Sequence, residues 1–259
     1  MLIGIDVGNT DFTIGFFQND QLLDTFRMRS KSKKTSDEYG MFLLDALKYR
    51  GYNVKDVEDV IISSVVPDVM HSFTSAIIKF FQLRPILVGP GIKTGLKIKT
   101  NNPKETGTDR IVDAVAAYTL YGGPVIVIDF GTATTYDVVS ENGEFLGGVI
   151  TPGLSTSVKV LTQQAAKLPE IEIRKTDTIV GKDTVPAMQA GCFYGYIGQT
   201  EYIVRKLKEE TGYLDAPVVA TGGLGRMVSE ETTSIDFYDQ NLTLKGLHII
   251  YKKQKKPTN

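Results

Sequence analysis

Cysteine is almost absent from this chain: Cys192 is the only one among 259 residues, so no internal disulfide can form. It lies in "QAGCFYG", where a small buried hydrophobe is the expected role ahead of a nucleophile. That usage suits the reducing cytoplasm. Charge of one sign is lacking too. With 29 Lys+Arg against 30 Asp+Glu the formal net charge is -1, and nothing points to nucleic acid as a partner. No stretch of 18 uninterrupted apolar residues occurs, and the N-terminus enters a strand pattern without a basic leader, so neither a membrane span nor an export signal is predicted. The lysine-rich end "YKKQKKPTN" reads as a solvated tail. His71 and His248 have no partner at metal-ligand spacing, which favours core or surface imidazoles over zinc. The phosphate loop GxxxxGK[ST] is missing, as is a GxGxxG fingerprint after a strand, so any nucleotide must be held by another cradle.

What is present is an ordinary globular composition, 42% hydrophobic and 23% charged, long enough to bury about three quarters of the unfolded chain's surface. It also contains a repeat. "LIGIDVGNT" at residues 2–10 returns as "VIVIDFGTA" at 125–133, each an apolar strand ending in an aspartate, a glycine and small polar residues. Each copy opens a meander: "FTIGFF", "QND" and "LLDTFRM" in the first, "TTYDVV", "ENG" and "EFLGGVI" in the second. Asp6 to Asn19 spans 13 residues and Asp129 to Asn142 spans 13 again, a constant offset of 123 that argues for structural duplication. No low-complexity linker separates the halves, and the repeat alone divides the chain into domains at 1–120 and 121–259.

After the first meander a polar loop, "KSKKTSDEYG", supplies a capping box from Thr35 to Glu38, opening a helix that Gly51 closes. Strand, helix and strand follow in "VIISSVV", "MHSFTSAIIKFF" and "PILVG", an alternation that indicates an α/β fold with partly parallel sheets. A helix over 108–121 buries one face through Ile111, Val115 and Tyr118 and links the halves. Further helices are predicted at 153–166 and 184–211, a strand in "PVVATGG", and a last helix from "LTLKGLHIIY". Gly191, Gly195 and Gly198 share a face of the long helix, where close packing is the expected reason for them.

A strand-end carboxylate followed by glycine keeps side-chain bulk away from an anion and lets turn amides face it, and Thr10 and Thr132 add hydroxyl donors. If the duplicated halves face each other, both turns converge on a cleft that clamps one polyphosphate and its cation. These turns, with "VVATGG" as a third, resemble the two phosphate motifs and the adenosine motif of the acetate and sugar kinase, Hsp70 and actin superfamily. More closely, "IDVGNT", "ISSVVP", "VGPGIKTGLKI", "NPKETGTDRIVDAVAAY", "IDFGTATTYDVV", "GGVITPGL", "AAKLP" and "GKDTVPAMQAG" resemble type III pantothenate kinases, nearly end to end and in the same order.

The resemblance implies an actin-like ATPase fold of two duplicated ribonuclease-H-like domains with an interdomain cleft, ATP with Mg²⁺, a monovalent cation (K⁺ or NH₄⁺), a homodimer, and synthesis of 4'-phosphopantothenate, the first step of coenzyme A biosynthesis. It assigns ATP to Asp6, Val7, Gly8, Asn9, Thr10, Thr13, Gly131, Thr132, Gly222 and Gly223. Asp6 would help hold Mg²⁺ through water, and Asp129 the monovalent cation. Pantothenate would meet Gly107, Thr108, Asp109, Arg110 and Thr184, with Asp109 the base for its primary hydroxyl and Arg110 on its carboxylate side. On structural grounds alone Thr108 reads as a helix N-cap, with Asp109 in a first turn whose dipole keeps it ionised and weakly basic. Thr184 likewise reads as an N-cap ahead of Pro186. One position departs from the family: Thr100 stands where relatives carry a tyrosine that closes over pantothenate, which bears on substrate affinity. The alternatives on the same fold are a non-catalytic nucleotide-responsive regulator and an actin-like or chaperone-like ATPase, the latter needing a longer chain and leaving "GTDR" without a purpose.

Overall fold

The computed structural model describes residues 1–30 and 34–255, so part of the polar loop (31–33) and the end of the lysine-rich tail (256–259) lie outside the described residues. The chain begins with the predicted meander: β1 (Leu2–Val7), β2 (Asp11–Gln18) and β3 (Gln21–Arg29), antiparallel throughout. Asn19 and Asp20 take positive φ in the tight turn between β2 and β3, a conformation that Asn and Asp tolerate better than most residues. The helix α1 (Ser36–Tyr49) starts at the Thr35–Glu38 capping box and is closed by Gly51 at φ 77°. Then β4 (Asp59–Ser64) pairs parallel to β1, and α2 (Pro67–Phe81) leads to a two-residue strand β5 (Ile86–Leu87). The sheet order is β3-β2-β1-β4-β5. Ile3, Ile5, Phe12, Ile14 and Phe16 bury completely against Leu43, Leu47 and Phe73 of the two helices.

The same pattern is written again. After β6 (Lys97–Ile98) and α3 (Thr108–Tyr121) come β7 (Val125–Phe130), β8 (Ala133–Val139) and β9 (Glu144–Pro152), then α4 (Leu154–Gln164) and α5 (Thr184–Thr211). They are followed by β10 (Val218–Thr221), α6 (Gly225–Ser229), β11 (Phe237–Tyr238) and α7 (Leu242–Gln254). The second sheet runs β11-β10-β7-β8-β9-β6, which reproduces the first strand for strand and adds β6 at one edge. The strands β1 and β3 recur as β7 and β9 at the predicted offset. The middle strand does not quite keep it: four residues separate the paired Val7 and Phe12, whereas three separate Phe130 and Thr134. The next turn compensates, two residues between Gln18 and Gln21 becoming three between Ser140 and Glu144. The constant spacing thus conceals two opposite one-residue changes.

By contacts the described chain forms two compact units, one of residues up to Leu96, Asn101–Ala116 and from Asn241 onward, the other of Lys97–Thr100 and Ala117–Gln240. The helix α7 packs on β1, β2 and β4, where Leu244 and Leu247 lie over Gly15 and Gly4. In the second unit Ile126, Ile128, Tyr136, Phe193 and Val218 form the core.

Two expectations are corrected. The helix α3 buries more than one face: every residue from Ile111 to Ala117 is buried, with Val112, Ala114, Ala116 and Ala117 beside the predicted apolar positions and the carboxylate Asp113, 3% exposed, among them. And Gly191, Gly195 and Gly198 do not serve close packing, since a Cβ at any of them would meet nothing within 4 Å. Among the described residues no helix is long and apolar enough to cross a membrane.

Candidate functional site

In the first unit the site forms where β1 and β4 end side by side. Their parallel register sets Asp6 beside Ser63, while the antiparallel pairing with β2 sets Asp6 beside Thr13. Partners across a ladder point to the same face of a sheet, so Thr13, Asp6 and Ser63 make a row of hydroxyl, carboxylate and hydroxyl. The following turn is held rigidly: Gly8 N–H donates to Asp11 O at 3.1 Å, Ser30 Oγ to Gly8 O at 2.6 Å and Ser30 N–H to Thr10 O at 2.8 Å. Asn9 and Thr10 remain exposed at its tip. Val7 is different, its side chain lost in the core and its carbonyl taken by Val65 N–H at 3.2 Å. Only backbone is left there to meet a ligand.

The "GTDR" segment docks onto this row. Thr108 is the first residue inside α3 and not its cap. Its hydroxyl donates to Ser64 O at 3.0 Å and accepts from Ser63 Oγ at 3.1 Å, which fixes the helix start at the carboxyl end of β4, one strand from Asp6. Asp109 is the second residue of the helix, and its Oδ1 accepts from the Arg110 N–H of that first turn at 2.8 Å. That explains the preceding glycine, because a Cβ at position 107 would lie 2.5 Å from Asp109 Oδ1. Burial pushes the Asp109 carboxyl above its ordinary value, and the Arg110 amide and guanidinium pull it back only in part. The expected domination by the helix dipole is therefore reversed. A raised pKa makes this carboxylate the better proton acceptor.

In the second unit the row recurs as Thr135, Asp129 and Thr221 across β8, β7 and β10. Gly131 N–H closes the turn on Ala133 O at 3.1 Å. Thr132 O accepts from Gly153 N–H at 3.0 Å and from Thr156 Oγ1 at 2.7 Å, pinning the turn to the start of α4. Gly131 and Thr132 are exposed. Gly222, at φ 91°, closes against the carboxylate, a Cβ there falling 2.6 Å from both Asp129 Oδ1 and Phe130 O. Gly223 beside it faces open space. Thr184 is the exposed first residue of α5, and the cap position belongs to Asp183, so that N-cap expectation is displaced by one residue. Thr100 is half-buried just after β6, its methyl 3.9 Å from where a Cβ of Gly147 would be.

Asp6, Thr13, Gly107, Thr108, Asp109 and Arg110 thus meet in the first unit, and Asp129, Gly131, Thr132, Gly222 and Gly223 in the second. Sequence reasoning missed the residues that hold them: Ser30, Ser63, Gly153 and Thr156. The paired serines closing the apolar strand "VIISS" were the available signal, since two hydroxyls at a buried strand end need partners. Among the described residues no three His, Cys, Asp or Glu side chains gather around a metal position. One carboxylate flanked by hydroxyls suits Mg²⁺, which dehydrates reluctantly and is held by one or two carboxylates plus substrate phosphates. The two threonine hydroxyls that flank Asp129 across the ladder are oxygen donors of the kind a hard monovalent cation takes.

Residues 2–206 match the family profile of type III pantothenate kinases. The type III pantothenate kinase of Agathobacter rectalis is 58% identical over 256 residues, 99% of this chain and 98% of the relative. That of Bacillus cytotoxicus is 49% identical over 253 residues, 98% and 96% of the two chains. Among solved structures, a Campylobacter jejuni protein described as a conserved Baf family transcriptional activator has a TM-score of 0.62 at 20% identity, covering 97% of this chain and 98% of its own. A Sinorhizobium meliloti protein described as a 2-dehydro-3-deoxygalactonokinase has a TM-score of 0.59 at 12% identity, covering 100% and 98%. Likeness at such identity speaks for the fold alone, and the fold is the actin-like ATPase type built from two ribonuclease-H-like domains. With near-full-length identity of this order to two relatives, the chain belongs to the type III pantothenate kinase family.

Proposed function

We infer that the chain transfers the terminal phosphoryl group of ATP to the primary hydroxyl of pantothenate, giving 4'-phosphopantothenate and ADP, the entry step to coenzyme A. The observation that carries this reading is the docking of Thr108 on Ser63 and Ser64, which brings the half-buried Asp109 carboxylate, its pKa raised, to the end of the strand next to that of Asp6. Phosphoryl transfer asks little of a protein beyond positioning and neutralisation of charge. Gly8, Asn9, Thr10 and Thr13, with Gly131 and Thr132, present amides and hydroxyls to the phosphates, Val7 adds backbone, Gly222 shapes the third turn, and Gly223 beside it leaves room for the adenosine. Asp6, together with the ATP phosphates, would hold Mg²⁺, which would neutralise phosphate charge, and Asp129 would hold K⁺ or NH₄⁺. Arg110 pairs with the substrate carboxylate through two parallel hydrogen bonds, and Thr184 contacts the same substrate. As the hydroxyl oxygen bonds to the γ-phosphorus and the bridging oxygen departs with ADP, the hydroxyl proton passes to Asp109.

The duplicated halves, 1–120 and 121–259, each contribute one Asp-Gly turn to this chemistry. The half-buried Cys192 suits work in the cytoplasm. Ile179 and Val180, 69% and 74% exposed just ahead of Thr184, suit the covered surface of a homodimer.

The test is ADP release with pantothenate supplied or withheld, first in K⁺ and then in Na⁺ buffer. Release is expected only with pantothenate present, and severalfold faster in K⁺. Hydrolysis indifferent to pantothenate would favour the ATPase or regulator readings, and equal rates in both salts would remove the cation from Asp129.

A further inference from the structure

The long helix α5 carries a buried tyrosine that the reaction as described does not use. Tyr196 is 6% exposed and sits in the second unit's core, its ring centroid 6.0 Å from that of Phe130. Its hydroxyl and Thr134 Oγ1 hydrogen-bond each other. Thr134 is the strand residue just after the Gly131–Ala133 turn and pairs across the ladder with Phe130 just before it. The phenol oxygen is thus tied to the strand that leaves the turn, and the ring lies beside the residue that enters it.

We propose that Tyr196 is a positioning residue for ATP, its hydroxyl fixing the Gly131–Thr132 turn and, through Phe130, the neighbouring Asp129. The assignment rests on the reading of that turn as a phosphate contact. Burial, with a smaller contribution from Tyr136, pushes the phenol up to about 12, so it stays a protonated O–H near neutral pH. A second buried phenol supplies the control. Tyr136 bonds Thr200 Oγ1 at 3.1 Å, and Thr200 in turn donates to the carbonyl of Tyr196, in the same core but away from the turn. Removing either hydroxyl takes one buried hydrogen bond from a threonine, so the two changes carry a stability cost of the same order.

The experiment compares Tyr196→Phe, Tyr136→Phe and Thr132→Ala with the parent by steady-state kinetics and thermal unfolding, with assays run well below each melting temperature. Tyr196→Phe is expected to raise KM for ATP about tenfold and to raise the K⁺ concentration needed for half activation, with KM for pantothenate unchanged. Tyr136→Phe is expected to lower the melting temperature comparably and leave both constants as they were. If Thr132→Ala raises KM for ATP and Tyr196→Phe does not, or if the two phenylalanine variants behave alike, Tyr196 is structural only. If Thr132→Ala leaves ATP binding untouched, the phosphate reading of the turn falls and this assignment with it.

Discussion

Replacing Asp109 with asparagine lowers turnover by about 10² to 10⁴, the range that one general base contributes. Asparagine keeps the shape, and its carbonyl oxygen still accepts the Arg110 amide that Asp109 Oδ1 takes at 2.8 Å, so the start of α3 and its docking through Thr108 survive. What is lost is the lone pair that receives a proton. Because burial disfavours the charged form, the fold does not depend on an ionised Asp109, and the melting temperature of the variant is expected within a few degrees of the parent. The pH profile makes the role specific. The carboxyl must be ionised to act, so kcat/KM falls as pH drops through its pKa, and since that pKa is raised the fall begins at higher pH than for an ordinary aspartate. In Asp109→Asn the acidic limb disappears. A variant with near-parent turnover, or one that keeps the limb, removes Asp109 from the role of base.

The second large effect is expected at Gly222. Alanine there must adopt φ near 91°, a strained region for an L-residue, and its methyl would lie 2.6 Å from the backbone Phe130 O and from Asp129 Oδ1. Neither neighbour is the loose end of a flexible chain. Gly222 O accepts from Gly225 N–H at 3.1 Å and from Tyr238 OH at 3.0 Å, so the turn has little freedom to move away. Strain and overpacking together are expected to cost at least about 2 kcal/mol in stability and to displace the Asp129 carboxylate, dropping kcat at least about tenfold. Gly223→Ala is the contrast. With nothing within 4 Å it should fold as well as the parent, so a rise in its KM for ATP reports nucleotide close to that turn. Equal stability of the two variants by urea unfolding would contradict the packing described at Gly222.

The repeat made the architecture legible because strand ends and tight turns are local features: an aspartate, a glycine and a spacing are visible without knowing what they pack on. The helices α3 and α5 begin and end at their predicted residues for the same reason, Gly107 and Gly212 marking limits that the chain itself declares. The short edge strands β6 and β11 were invisible, since two residues carry no period and exist only by pairing with β9 and β10. Capping went astray at Thr108 because the hydroxyl found Ser63 and Ser64, more than 40 residues away, in preference to its own helix. The direction of the Asp109 shift was not legible on similar grounds: the dipole is written in the sequence around it, whereas burial is supplied by distant segments. Likewise Ser30 and Tyr196 hold the two turns from positions that no motif marks.

A crystal structure of the chain with pantothenate and a non-hydrolysable ATP analogue tests the central assignment most directly. The primary hydroxyl oxygen of pantothenate is expected about 2.6–3.2 Å from the Asp109 carboxylate, with the substrate's own carboxylate on Arg110. A hydroxyl bound elsewhere, with Asp109 engaged only by the amides of its helix, would contradict it.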